Sequence, residues 1–222
     1  MKIAIMQPTF IPCLGYFELM RSCQIFVFLD NVQFNKRSWQ QRNIISVSGK
    51  PKFLTVPVLS KGRYYQSINQ VRIDYEGSVW KKLVPTLNHN YKKALNFNEF
   101  FPVLEKHFNS KFEYLSDFNI AIIESMAKFW GLNVKSVVSS SLSCNGKKEH
   151  KLLSICKELN ATSLVSPKGS ENYLDKTSIF SKAGIEISYL KYGRTPSTKF
   201  GRNELYYSGL HHLFTGTKGI HN

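Results

Sequence analysis

The stretch Asp30-Asn-Val-Gln-Phe-Asn-Lys-Arg-Ser-Trp-Gln-Gln-Arg-Asn-Ile44 follows directly on the apolar run Ile25-Phe-Val-Phe-Leu29. A short run of large apolar residues closed by a polar cluster reads as a buried strand. A carboxylate, amides, cations and an indole therefore begin where that strand ends, and in open α/β sheets ligands sit outside the carboxyl ends of the strands. Lys36, Arg37 and Arg42 can hold phosphate or carboxylate oxygens, the two guanidinium groups through forked contacts, while Trp39 can stack on a base or cover a sugar face. The plainer alternative is a solvated basic loop with a half-buried Trp, because loops lie at the surface whether or not they carry function.

Working outward, residues 2–6 form a short apolar strand, after which Pro8 and Pro12 block both ladder and helix until Cys13. Residues 14–22, with Tyr16, Phe17, Leu19 and Met20, predict a helix. Strand, loop, helix and strand make the first half of a parallel unit. Gln7 opens a loop that runs to Gly15 and a helix N-terminus, where an anion can be received. It has no glycine-rich fingerprint, which excludes a P-loop or dinucleotide motif.

Downstream, 44–48 and 53–59 predict the strands of a hairpin around Ser48-Gly49-Lys50-Pro51, and 67–73 predicts a further short strand. Residues 80–91 predict a helix kinked or split at Pro85. Residues 99–107 and 115–130 are amphipathic helices, the second capped by Ser116 or Asp117 and ended at Gly131. A strand at 133–138, a polar loop at 139–146, a helix at 147–159 and a strand at 162–165 follow, the last running into Ser166-Pro-Lys-Gly-Ser170. A helix through Ala183 capped by Gly184, a strand at 185–190, a loop at 192–197 and a helix at 203–214 complete the chain.

This alternation predicts an α/β fold: a Rossmann-like, mainly parallel sheet flanked by helices, with an inserted β-hairpin region at 45–75. A single domain over 1–222, ending in a C-terminal loop and helix at 192–222, is the simplest organisation for this length. Loops 7–15, 30–43 and 166–175 are expected to line one cleft at the carboxyl edge of the sheet.

Thirty Lys and Arg against fifteen Asp and Glu give a formal charge of +15, which favours an anionic partner such as a nucleotide-sugar, nucleic acid or membrane surface. The cations are spread along the chain without an Arg-rich arm. Cys13, Cys23, Cys144 and Cys156 show no zinc or redox spacing, and His211 and His212, being adjacent, point to different sides of a helix and make no metal pair. No metal and no tightly bound cofactor are expected. The opening apolar run is too short for a signal segment and nothing approaches a spanning helix, so a cytoplasmic location with reduced thiols is expected.

A second cluster gathers His89, Asn90, Tyr91, Lys92 and Lys93, an imidazole, an amide, a phenol and two cations; the plainer reading is a cationic helix end favoured by the helix dipole. A third holds Ser166, Ser170, Tyr173 and Asp175 after a strand.

These segments resemble the WbqC-like family of bacterial proteins, found with genes for O-antigen and other surface polysaccharides. The resemblance rests on Gln7-Pro-x-Phe-x-Pro with Gly15-Tyr-Phe17, on Asp30-x-Val-Gln-Phe-x-Lys-Arg-x-Trp-x-x-Arg-Asn43, on Asn90-Tyr-Lys-Lys93, and on Gly169-Ser with Tyr173-Leu-Asp175. It covers nearly the whole chain. Where the family ends on Leu-Ser-x-x-Asp-Leu-Leu-Phe-Asn, this chain has Tyr207-Ser-Gly-Leu-His-His-Leu-Phe-Thr215, so His211 stands in place of a family Asp.

The resemblance implies a step that makes or decorates a nucleotide-linked sugar, most simply acyl or aminoacyl transfer to the amine of a nucleotide-linked amino sugar from acyl-CoA or an aminoacyl-tRNA. Nucleotidyl transfer is weaker, for the His-x-Gly-His pair that grips a leaving phosphate is missing. In acyl transfer a base must take the amine proton and donors must hold the carbonyl oxygen. Asp30 or His89 is a candidate base; Lys36, Arg37 and Arg42 would hold the diphosphate; Gln33, Asn43 and Asn90 would bind sugar hydroxyls or the oxyanion. Cys13 is a conceivable nucleophile, more often small apolar filler. Two other classes remain: an RNA-linked basic protein that takes its aminoacyl group from a charged tRNA or simply binds RNA, although no RNA-binding signature is present, and a noncatalytic scaffold at the membrane surface, which lacks an amphipathic anchor.

Overall fold

Lys2–Met6 (β1) and Ile25–Phe28 (β2) lie side by side in parallel, Ile3 opposite Ile25 and Met6 opposite Phe28. Their apolar residues, from Ile3 and Ala4 to Phe26 and Val27, are fully buried, as strands covered on both faces must be. The computed structural model describes residues 1–190 and 207–216. Around this pair, Lys135–Val138 (β5), Ser163–Pro167 (β6) and Glu186–Leu190 (β7) complete a five-stranded sheet in the order β5-β2-β1-β6-β7, every pairing parallel. The chain steps outward on one side of β1, then returns to build the other side. This is the strand order of a Rossmann-type sheet, and it puts the topological switch between β1 and β6.

The described residues fall into two compact units. The first comprises Met1–Gln7, Gly15–Asn31 and 132–190 and contains this sheet. Leu14–Arg21 (α1) joins β1 to β2, Glu149–Glu158 (α5) joins β5 to β6, and Glu171–Leu174 (α6) and Ile179–Lys182 (α7) lie between β6 and β7. Ile3, Ile5, Val27, Ile155, Leu164 and Phe180 share one core cluster, and Tyr16 of α1 packs on Phe26 at 5.2 Å between ring centres. The helix expected through Ala183 is instead divided at residues 175–178. There the Thr177 hydroxyl accepts from the Ile179 amide at 3.3 Å, a local bond that competes with helix continuation.

The second unit comprises Pro8–Leu14, Val32–Gly131 and 207–216. Its hairpin joins Arg42–Val47 (β3) to Lys50–Thr55 (β4). The expected four-residue turn is a two-residue one. Ser48 and Gly49 have φ of 51° and 75°, the positive pair that a type I′ turn needs, which leaves Pro51 inside the edge strand β4. The strand expected at 67–73 is a 3₁₀ turn, Ile68–Gln70. The Gln70 side chain accepts from the Ser67 amide at 3.0 Å, and Ser67 Oγ donates to Asn69 at 2.6 Å.

Ser78–Tyr91 (α2) is continuous through Pro85 rather than split there. Pro85 is exposed, so the carbonyl it leaves unpaired can meet water. Loss of that bond costs about 3 kcal/mol, less than the burial of Leu83, Leu87 and Tyr91 contributes at about 1.5–3 kcal/mol each. Phe97–Asn109 (α3) tolerates Pro102, also exposed, on the same terms. Leu115–Phe129 (α4) starts from Tyr114 rather than from Ser116 or Asp117; Asp117 lies in the first turn, where the dipole favours it. Gly131, with φ 71°, ends it as expected. Phe118 of α4 gathers Phe10, Trp80, Phe108 and Phe112 within 6.0 Å between ring centres. Gly209–Thr215 (α8) closes the unit, its first turn held as Ser208 donates its amide to Ile44 O at 2.8 Å. The remainder of the expected terminal helix, 203–206, and the loop at 192–197 lie outside the described residues. No helix among them is long and apolar enough to cross a membrane.

Candidate functional site

Within the sheet unit, Asp30 lies two residues past the end of β2 and is 3% exposed. Its Oδ1 accepts from Ser139 Oγ at 2.9 Å and from the Ser140 amide at 2.9 Å, and its Oδ2 accepts from Ser140 Oγ at 2.5 Å. Ser139 Oγ in turn accepts from the Asp30 amide at 3.2 Å, and Asn31 Nδ2 donates to Ser139 O at 3.2 Å. A buried carboxylate requires such donors. The result ties the carboxyl end of β2 to that of its neighbour β5.

At the switch, Gln7 follows β1, and its backbone oxygen accepts from Tyr16 Oη at 3.0 Å. Ser166 in β6 and Ser170 join their hydroxyls at 2.6 Å, and Ser170 Oγ reaches Pro167 O at 2.5 Å. Asp175 accepts a short hydrogen bond from Tyr189 Oη, and Tyr189 sits opposite Ser166 in the β6–β7 register. Burial above all, then the Asp175 bond and the charges of Asp175 and Glu171, push the Tyr189 phenol far up. Burial also raises Tyr173, against the lowering effect of its bond to Ser170. Gln7, Asp30, Ser166, Ser170, Tyr173 and Asp175 thus belong to one sheet unit, at or just beyond the carboxyl ends of its strands. Ser139, Ser140 and Tyr189 join them without a signal in the sequence, the first two from a loop read only as polar and the third inside a strand.

The second unit holds the remaining candidates. Lys36 and Arg37 are exposed, Arg37 with φ 61°. That backbone is fixed by two buried amides: the Asn35 amide donates to Gln40 Oε1 and the Arg37 amide to Gln41 Oε1, each at 2.8 Å. Gln40 and Gln41 are 2% and 4% exposed, and the sequence reading missed them. Asn119, fully buried, donates to Pro8 O at 3.0 Å and to Gln40 O at 2.8 Å. Asn43 Nδ2 donates to Phe10 O and Ile11 O, both at 3.1 Å, and its Oδ1 accepts from the Ile44 amide. Its amide is fully engaged with backbone. Trp39, 53% exposed, lies 6.1 Å from Phe53, and the Arg42 guanidinium covers Phe53 at 4.1 Å from the ring centre. Gln33 Nε2 donates to Tyr64 O at 2.9 Å.

On α2, His89 is exposed. Asn90 Oδ1 accepts from the Ser48 amide at 3.1 Å, which steadies the hairpin turn. Tyr91 Oη accepts from the Ser46 amide at 2.9 Å and meets His211 Nδ1 at 3.0 Å. Burial first, then the neighbouring His212, lowers His211 to about 4. Among the cysteines, all free, Cys13 is exposed, while burial pushes Cys23 and Cys156 up to about 12.

The first unit is therefore an α/β unit of Rossmann-type strand order with hydroxyls, carboxylates and phenols at the carboxyl ends of its strands. The chain belongs to the WbqC-like protein family, whose model matches residues 7–210, as the motifs led us to expect. An uncharacterized protein of Mycobacterium tuberculosis, Rv1507c, is 31% identical over 198 residues, spanning 86% of this chain and 82% of the relative. No solved structure matches the chain.

Proposed function

We propose that the protein is a transferase of bacterial surface-polysaccharide synthesis, acting in the O-antigen setting by moving an acyl or aminoacyl group onto the amine of a nucleotide-linked amino sugar. The observation that carries this reading is the polar edge of the Rossmann-type sheet. Ser166 and Tyr189 stand near the carboxyl ends of β6 and β7, Ser170 and Asp175 follow β6, and Gln7 follows β1 on the other side of the topological switch, where such sheets take ligands. In this reading Gln7, Ser166, Ser170 and Tyr173 of the sheet unit serve the sugar, while Lys36, Arg37 and Arg42 of the second unit are the cations with affinity for a diphosphate.

The amine nitrogen attacks the donor carbonyl, a C–N bond forms, and the bond to the carrier oxygen or sulfur breaks as that carrier takes a proton. The amine proton goes to a base. Asp30 is held by three donors and serves as a positioning residue, whereas the exposed imidazole of His89 is available to take the proton. Incubation of the protein with nucleotide-linked amino sugars and either acyl-CoA or aminoacyl-tRNA, followed by mass analysis, tests the reading. A gain of one acyl mass on the sugar supports it; unchanged sugars with every donor overturn it.

A further inference from the structure

Between Asp30 and Asp74 the sequence contains no carboxylate. In the same interval lie Tyr64 and Tyr65, 79% and 92% exposed, and Trp39 and Phe53, 53% and 51% exposed. Exposed rings that lie together mark interaction sites more than single ones do, and here Trp39 neighbours Phe53 and Tyr64 adjoins Tyr65. Nor is the segment loosely held. Gln33 pairs with Ser67 across a bridge and donates its side chain to Tyr64 O, while the Phe34 amide donates to Gln66 O at 3.0 Å. The loop of Tyr64 and Tyr65 is thereby bound to the loop that leads into Trp39. The Arg42 guanidinium braces Phe53 at 4.1 Å. Lys61 and Arg63, in the same loop as the tyrosines, are exposed and make no ion pair with any described residue.

Exposed rings held on an ordered backbone, interleaved with unpaired cations and free of carboxylates, have the chemistry of a stacking platform for bases joined by phosphates. We infer that these two linked loops of the second unit bind single-stranded RNA, with Tyr64 and Tyr65 in one and Trp39 and its neighbour Phe53 in the other offered to unpaired bases and Lys61 and Arg63 pairing with phosphates. The phenol groups of Tyr64 and Tyr65 and the exposed amide of Asn35 give the 2′-hydroxyl partners that DNA could not use. A duplex, whose bases are already stacked, offers the rings nothing. The inference goes beyond the transferase reading, and its test reads binding rather than turnover.

The experiment is fluorescence anisotropy of the full chain with a labelled 12-nucleotide oligo-U RNA, the matching DNA strand, an RNA duplex, and vesicles of phosphatidylserine and phosphatidylcholine. Single-stranded RNA is expected to bind most tightly. Affinity should fall at least tenfold in the Tyr64→Ala/Tyr65→Ala double variant and recover in Tyr64→Phe/Tyr65→Phe, which keeps the rings. Lys61→Ala/Arg63→Ala should lower the slope of log affinity against log salt by about one to two. The exposed positions leave the core untouched, and circular dichroism confirms folding. Equal binding of duplex and single strand with no loss in the Tyr64→Ala/Tyr65→Ala variant reduces the effect to charge alone and overturns the inference. Preference for the vesicles overturns it in favour of a lipid surface.

Discussion

Tyr91 and His211, 120 residues apart in sequence, meet at 3.0 Å between phenol oxygen and Nδ1. The Ser46 amide already donates to Tyr91 Oη, so the phenol proton is directed to the imidazole. The acceptor nitrogen must then be bare, which agrees with a histidine whose burial keeps it neutral. His211 is thus a neutral ring at the end of a hydrogen-bond chain that runs from the Ser46 amide through Tyr91.

That chain predicts an acid limb in stability. His211 falls from 6.5 when unfolded to about 4 when folded, so the unfolded chain binds the extra proton between those values. The stabilisation is complete above pH 6.5 and is lost as pH falls toward 4, about 3 kcal/mol in all. His107, also lowered by burial and by Lys106, adds in the same direction. Urea unfolding measured from pH 7.5 to 4.5 should show a steeper loss in the parent than in His211→Asn. Parallel curves would remove His211 as the source.

Asp30→Asn should cost about 1–3 kcal/mol, because a donor amide then faces hydroxyl and amide donors of Ser139 and Ser140 without acceptors to match. A shift in the urea midpoint with unchanged slope is the expected signature. A variant of native stability and no turnover would instead make Asp30 the base and displace His89.

Arg37→Ala and Arg42→Ala should each weaken binding of a nucleoside diphosphate by one to two powers of ten, since a charged hydrogen bond is worth about 1.5–3 kcal/mol. The two differ in stability. Arg42→Ala also loses its contact with Phe53, worth about 0.5–1 kcal/mol at the surface. Arg37 is held at φ 61°, so Arg37→Gly relieves about 1 kcal/mol of strain and raises the melting temperature. Calorimetric titration beside thermal melting separates these effects, and unchanged affinity in both Ala variants removes the cations from the site.

Cys13→Ser should leave fold and turnover as they are, as the side chain is exposed and makes no hydrogen bond or ion pair with any described residue that would activate it. Loss of all turnover in a folded Cys13→Ser variant would establish a thioester route.

The parallel sheet was legible because strands covered on both faces are written as continuous apolar runs, and Ile3 to Ile5 and Phe26 to Phe28 are such runs. In residues 32–131 the hairpin and the helices were legible as elements, but not how they pack. The amphipathic faces of α3 and α4 say that something is buried, but the meeting of Phe118 with Phe10 and Trp80 is settled by tertiary packing. Amides illustrate the limit best. Gln33, Gln40, Gln41 and Asn43 stand close together in sequence, and a side chain that binds a sugar is identical to one that holds a backbone carbonyl. Only the fold reveals that Gln40, Gln41 and Asn43 anchor the loop that presents Arg37 and Trp39. Asp30 was recognised as important, yet its partners lie 109 and 110 residues away, beyond any local pattern.

The two-residue turn at Ser48 and Gly49 sets more than the path of the hairpin. Strand residues alternate between faces, so the parity of the residue count between Arg42 and Phe53 decides which ring the guanidinium meets. One residue inserted after Gly49 carries Phe53 to the reverse face and leaves Arg42 without its aromatic partner; two restore it. In this chain the length of that turn therefore decides whether Arg42 and Phe53 share a face, with no change at either residue.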